Sequence, residues 1–419
     1  MDISSKLAAR AKDKAPSPIR ELMKYMQIPD LISFGGGYPN ESTFVFDQVS
    51  FQFRNGSRLD LRDAELLSGS QYGPSSGQPL LKEQIIAWQK QKDQVTLAAD
   101  ELIVLNGSQE GLFILGYLFL EEDDCVIVSE PTYPGAISAF SSFCRHYLPV
   151  DLEADGISTS QIETLLRTRK QQGLRLPKFI YDVPFGHNPG GVRLSRAKRQ
   201  HLLQIAREFD IFIIEDDPYE LIRYEPADDF PTIQSLEAPA RDYVIRLDSF
   251  SKIFVPGFRI GYASANREII RQFELFKQSS NLHTSSFNQM ILARFMKDFG
   301  LDAFRQHIKR NCQFYQANRD VMIEASQTYL KDLVRYQIPQ DGLFIWYELP
   351  AECCAARMIA NYAGELRVLM VPGDGFSVRA GLKNCMRASF GSVTADRIEE
   401  GMKRFRDMLQ RELMTSKNP

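Results

Sequence analysis

Short apolar runs recur along the middle of this chain, and helical patterns separate them. Leu102–Leu105, Cys125–Val128, Phe179–Val183, Ile211–Glu215, Tyr243–Leu247 and Arg259–Ala263 read as strands. Between them Ser195 reads as a helix cap, followed by Leu202, Ile205, Ala206 and Phe209 at helical spacing. Leu81, Ile85 and Trp88 make a similar stripe. Strands that alternate with helices are joined by crossovers, which predicts an α/β fold with a mainly parallel sheet covered on both faces. Such a sheet offers ligands the C-terminal ends of its strands.

The length, 419 residues, exceeds what one ordinary core accommodates, so a large and a smaller domain are expected. Residues 1–50 are punctuated by proline and glycine. From Asn311 the pattern runs helix, strands near Val334–Tyr336 and Leu343–Glu348, then a last helix. Thr394 reads as the cap of that helix, with Ile398, Met402, Phe405 and Leu409 on its apolar face. The expected division is an N-terminal segment 1–50, a large domain 51–310 and a C-terminal part 311–419. Thr415–Pro419 reads as a frayed tail.

Charged residues make up 25% of the chain and the net charge is −3, which leaves no basic footprint for nucleic acid. Cysteines at 125, 144, 312, 353, 354 and 385 form no C-x-x-C pair, and no H-E-x-x-H occurs. Neither a metal site nor a disulfide framework is expected, and reduced thiols fit a cytoplasmic location. No apolar run reaches the roughly 18 to 20 residues of a membrane span. Lys6, Arg10, Lys12 and Lys14 faintly resemble a presequence, but Asp2 and Asp13 argue against one.

Chemistry-bearing residues gather at the strand ends. Ser249, Ser251, Lys252 and Arg259 follow the strand Tyr243–Leu247. Two hydroxyls before a lysine and an arginine seven residues after it suit an aldehyde cofactor that carries a phosphate. The amine forms a Schiff base, while the hydroxyls and guanidinium hold the phosphate. Alone, the lysine could equally be a solvated strand end. Gly107, Ser108 and Gln109 open an apolar helix, where amides and a hydroxyl suit phosphate, although a plain serine cap reads the same way. Tyr133 could stack on an aromatic ring or sit in a turn of two prolines and a glycine. Asn188 stands in the Pro- and Gly-rich loop Val183–Gly191 and suits a directed amide contact. His187 beside it reads as a loop residue rather than a catalyst. Asp216, Asp217 and Tyr219 follow another strand; two adjacent aspartates alone would read as a loop or a magnesium site.

Taken together and in this order, these segments resemble the pyridoxal-phosphate (PLP) enzymes of aminotransferase fold type I. The S-x-S-K-x-x-x-x-G-x-R-x-G pattern lies at 249–261, N-P-x-G at 188–191 and D-x-x-Y at 216–219. Ala15–Arg20, Ile32–Pro39 and Gln71–Gly77 are similar to the 2-aminoadipate/kynurenine/aromatic aminotransferase branch, and Met386–Phe390 resembles the segment of the family's motif arginine. Gly190 departs from the family, which has threonine or a similar side chain there. The resemblance implies a large domain with its sheet sandwiched by helices and a smaller α+β domain built from both termini.

It also implies roles. PLP would bond to Lys252, its phosphate resting on Ser108, Gln109, Ser249, Ser251 and Arg259. Tyr133 would stack on the ring, Asn188 and Tyr219 would bind its phenolic oxygen, and Asp216 its nitrogen. Tyr72 would reach the cofactor phosphate of a neighbouring subunit, which implies a homodimer with shared active sites. Arg387 would grip the substrate α-carboxylate, with Asn188 beside it. Gly37 would let backbone approach the substrate. Arg20 would meet a distal carboxylate or move aside for an aromatic side chain, but beside Glu21 it could equally be a solvated helix-start pair. The implied activity is ping-pong transfer of the amino group of an L-amino acid (2-aminoadipate, aromatic or similar) to 2-oxoglutarate. A PLP lyase or decarboxylase on the same fold is the alternative, and a non-catalytic PLP-binding sensor ranks below it. Neither nucleic acid nor membrane is an expected partner.

Overall fold

The structure is a computed structural model. It describes every residue except 1, 13, 23, 24, 26, 27, 29, 33, 36, 225–229, 418 and 419, and no side chain at 20, 21, 238, 416 and 417. In chain order the strands are β1 (Gln48–Gln52), β2 (Arg58–Arg62), β3 (Leu102–Leu105), β4 (Cys125–Glu130), β5 (His146–Glu153), β6 (Gly156–Ile157), β7 (Phe179–Asp182), β8 (Phe212–Asp216), β9 (Val244–Ser249), β10 (Gly261–Ser264), β11 (Phe344–Glu348), β12 (Val371–Pro372) and β13 (Cys385–Ser389). The chain divides into two compact units. Met1–Glu121 and Gln234–His307 make the first, and Glu122–Ile233 and Ile308–Pro419 make the second.

In the first unit β10 pairs antiparallel with both β3 and β9, so Tyr262 stands opposite Val104 and Asp248. The unbroken Leu-Ile-Val-Leu run of β3 is buried at every residue. Helix Ser108–Phe119 packs close to this sheet because Gly111 has no side chain; a Cβ there would lie 2.7 Å from Leu247 Cδ2. Lys277 is buried beneath, donating to Val104 O at 2.8 Å and Thr284 Oγ1 at 2.9 Å, with Glu110 at 3.2 Å. Helix Pro79–Asp93 buries Leu81, Ile85 and Trp88, as its period requires. Leu59, Leu61 and Leu66 meet Met290 and Ile291 in a separate cluster.

In the second unit the strand order is β8-β7-β4-β5-β6. The pairs β8–β7, β7–β4 and β4–β5 are parallel, and β6 closes antiparallel on β5. Helix Arg196–Phe209 is capped by Ser195, whose Oγ accepts from Lys198 N at 3.4 Å, and it buries Leu202, Ile205, Ala206 and Phe209. A second, antiparallel sheet has the order β11-β13-β12. Helix Ala395–Lys417 buries Ile398, Met402, Phe405 and Leu409, and the carbonyl of Thr394 accepts from Ile398 N at 3.2 Å.

Four local expectations change. β5 is an additional strand whose in-out alternation is blurred, with Pro149 in its middle. Val334–Tyr336 contributes a single bridge, Arg335 to Glu348, instead of a strand. Arg259 adopts a left-handed conformation at φ +54, so β10 begins at Gly261. The last helix continues through Thr415, whose Oγ1 donates to Arg411 O at 3.0 Å, so residues 415–417 are helical instead of a frayed tail. No described helix is long and apolar enough to cross a membrane.

Candidate active site

In the first unit, the chain leaves β3 through Asn106 and Gly107 and enters helix Ser108–Phe119. Gly107 has φ +78, and a Cβ there would lie 2.5 Å from Arg259 Nη2, so the position demands glycine. Arg259 donates to Ser251 Oγ at 3.2 Å and to the carbonyls of Asn106 and Pro256 at 3.3 and 3.4 Å. None of these partners is an acid. A guanidinium thus lies against the positive end of a helix with no carboxylate among its described contacts. That arrangement suits a phosphate. Ser249 closes β9, and its Oγ accepts from Ser251 N at 3.2 Å. Phe250 and Ile253 are buried on either side of Lys252, and Ile253 O accepts from His307 Nε2 at 2.7 Å. The half-buried Lys252 therefore sits on a turn anchored at both ends. Gln109 follows Ser108 in the first turn of the helix. Tyr72 is exposed, edge-on to Tyr38 and His283 with centroids at 6.2 and 5.9 Å. Gly37 is exposed, with nothing within 4 Å of where a Cβ would stand. The side chain of Arg20 and residues 33 and 36 of the segment Ile32–Pro39 lie outside the described residues.

The second unit holds the remaining residues. Tyr133 precedes helix Pro134–Phe140, and its ring lies where Gly135 has no side chain; a Cβ would come within 2.4 Å of Tyr133 Cζ. Asp216 is the last residue of β8, is buried, and accepts from the Tyr181 hydroxyl at 3.0 Å on Oδ2. Tyr219 is buried nearby, edge-on to Phe344 at 5.4 Å. Burial pushes its phenol above the usual range, while a hydrogen bond with Asn188 acts the other way.

Asn188 sits in a loop stapled by His187. Gly190 N donates to His187 Nδ1 at 3.2 Å, so the ring's proton is on Nε2, which donates to Ser129 Oγ at 2.9 Å. Burial lowers the pKa of this imidazole to about 3 and keeps it neutral. The unusual Gly190 now has a reason, since a Cβ there would lie 2.3 Å from Leu152 Cδ2. Behind the loop, the fully buried Arg199 donates to Pro184 O at 2.9 Å and Leu194 O at 3.0 Å. Its guanidinium lies 4.1 Å from the Phe185 ring centroid, and that of Arg223 lies 4.2 Å from the same ring.

Arg387, on β13, donates from Nη1 to Asn188 Oδ1 at 2.8 Å. Its guanidinium carbon lies 4.4 Å from the Phe344 ring and 5.0 Å from the Phe376 ring. Nε is buried with no hydrogen-bond partner among the described residues. Desolvation pulls its pKa down, Tyr219 and Tyr133 act the other way, and no carboxylate is among its described contacts. A carboxylate from outside the chain would compensate the charge.

A family model for aminotransferases of class I and II matches residues 61–405. The chain belongs to this family. Among its aminotransferase relatives, aromatic-amino-acid aminotransferase 1 of Thermococcus litoralis is 31% identical, over 99% of this chain and 96% of that protein. The mitochondrial kynurenine/alpha-aminoadipate aminotransferase of Mus musculus is 29% identical, over 99% of this chain and all of that protein. The crystal structure of Pyrococcus horikoshii kynurenine aminotransferase, solved in complex with PMP, superposes with a TM-score of 0.78 at 32% identity, covering 98% of each chain. The fold is that of PLP-dependent enzymes of fold type I, and this aminotransferase uses PLP.

Four features of this aminotransferase were invisible in its sequence. They are the donor Tyr181, the staple through His187, the buried Arg199 and the aromatic walls Phe344 and Phe376 around Arg387. Each arises from a tertiary contact between separate elements, and none has a local motif.

Proposed function

We propose that this aminotransferase moves the amino group of an aromatic L-amino acid, kynurenine or 2-aminoadipate to 2-oxoglutarate in a ping-pong cycle. The observation that carries the substrate end is Arg387, a desolvated guanidinium with aromatic walls and no acid. It supports a substrate that brings its own α-carboxylate. The names of the full-length relatives support the donor class.

The residue roles form part of the same proposal. Bound PLP supplies an electron-accepting ring that stabilises charge left on the substrate carbon. Ser108, Gln109, Ser249, Ser251 and Arg259 hold its phosphate through amides, hydroxyls and one cation. Lys252 would hold it covalently, and its amine would serve as the base and then the acid for the substrate's α-proton. Asp216 keeps a proton on the ring nitrogen. Asn188 and Tyr219 bind the phenolic oxygen, and Tyr133 stacks on the ring. Gly37 lets backbone approach the substrate. Tyr72 serves the active site of a second copy in a homodimer. A cytoplasmic location completes the reading.

The test titrates the PLP-loaded enzyme with 2-aminoadipate, kynurenine, phenylalanine, tyrosine, leucine and glutamate while its visible absorption is recorded. The expected result is bleaching, most efficient with kynurenine, an aromatic donor or 2-aminoadipate, and recovery on adding 2-oxoglutarate. Preference for leucine would overturn the donor class. Bleaching that 2-oxoglutarate does not reverse would overturn the acceptor.

A further inference from the structure

Tyr181 is placed to act on Asp216. It lies on β7 with 1% of its surface exposed, next to Ile214 in the parallel pairing of β7 with β8. Side chains alternate along a strand, so Ile214 and Asp216 share a face of β8. Asp216 stands about 6.6 Å further along, two strand residues on. A tyrosine has the length to cover that step, and its hydroxyl donates to Asp216 Oδ2 at 3.0 Å. The ring is held from the side by Phe140, edge-on at 5.8 Å, which also packs on Phe179 at 5.1 Å. Phenylalanine would fill nearly the same volume, so packing does not explain the hydroxyl.

We propose that Tyr181 is a positioning residue for the PLP chemistry, its hydroxyl fixing the rotation of the Asp216 carboxylate and holding it as the charged acceptor for the cofactor ring. This rests on the reading of Asp216 as the partner of the ring nitrogen. The phenol remains a donor, because burial first, and then the charge and hydrogen bond of Asp216, hold its pKa well above the ordinary range. Tyr133 and Asp182 add smaller effects in the same direction. A donor on Oδ2 lowers the proton affinity of the carboxylate, which leaves the shared proton on the ring nitrogen. Tyr181 touches neither substrate nor cofactor in this account and acts through Asp216.

The test compares wild type, Tyr181→Phe, Phe140→Leu and Asp216→Asn, each loaded with PLP. The readouts are the midpoint of the pH titration of the visible absorption band, PLP affinity by equilibrium dialysis, and kcat and KM separately. Tyr181→Phe is expected to move the midpoint upward. A less firmly protonated ring places less positive charge near the titrating Lys252 nitrogen. kcat should fall about ten- to a hundredfold, the range for a hydrogen bond to a charged group, with KM nearly unchanged. Asp216→Asn should move the midpoint further in the same direction, and Phe140→Leu, which keeps the hydroxyl, should leave it in place. A wild-type midpoint and kcat in Tyr181→Phe, beside an altered Asp216→Asn, would overturn the proposal and spare the Asp216 reading. Equal shifts in Tyr181→Phe and Phe140→Leu would overturn it in favour of packing. An unaltered midpoint in Asp216→Asn would overturn the Asp216 reading and the proposal with it. Should Tyr181→Phe fail to fold, 3-fluorotyrosine at 181, a stronger donor, should move the midpoint downward, and an unmoved midpoint overturns the proposal.

Discussion

Lys252 and Gly190 show how differently two single positions can be constrained. Lys252 stands half-buried on the turn anchored by Phe250 and Ile253, and the role proposed for it is chemical. Lys252→Ala should therefore abolish multiple turnover while PLP stays bound through its phosphate, measured by dialysis against absorbance. Retained turnover would remove Lys252 from its role. Gly190 is set by space, since Leu152 Cδ2 occupies the place of its side chain. Gly190→Thr should destabilise the fold by about 1–3 kcal/mol, the usual cost of overpacking. Adding Leu152→Ala should return part of the lost melting temperature. If the double variant melts no higher than the single one, crowding by Leu152 is not the cause.

At the scale of elements, two buried groups in the second unit give stability opposite pH dependences. His187 has its pKa lowered from 6.5 to about 3 by burial. Its contribution is fully present above pH 6.5 and is lost as pH falls towards 3, because the unfolded chain then binds the extra proton. Asp182, on β7, has its pKa raised from 3.8 to about 7, mainly by burial. Its contribution is fully present below pH 3.8 and is lost as pH rises through about 7. His187→Gln should flatten the fall in melting temperature on the acid side, and Asp182→Asn should flatten the fall towards neutral pH. Unchanged slopes in either variant would count against that group. The same elements show what a sequence discloses. β3, β4, β7 and β8 were legible because their cores are continuous apolar runs, β9 because Val244, Ile245 and Leu247 flank its Arg246, and the candidate cofactor residues were read from their places after such strands. β5 was not, since Pro149 interrupts it and its faces do not alternate cleanly. Asn188 was legible as part of a motif, but its partner Arg387 lies 199 positions away, and no spacing encodes that contact.

At the scale of the molecule, the first unit leaves apolar side chains in water. Ile32, Phe34 and Val45 are 80%, 97% and 86% exposed, and Phe46 and Tyr72 are also exposed. Exposed apolar side chains of this kind would suit the homodimer proposed above. A homodimer should have twice the 47.8 kDa of one chain by light scattering, and Phe46→Glu should shift the population towards the monomer. A monomeric wild type at micromolar concentration would rule this out. Each unit, finally, is built from two stretches separated by part of the other. During synthesis the first unit cannot close until residues 234–307 have left the ribosome. By then residues 122–233 are already waiting for 308–419. Apolar strands of both units therefore stay without their full cover through much of translation, the period when a nascent chain is most prone to aggregate and most in need of a chaperone.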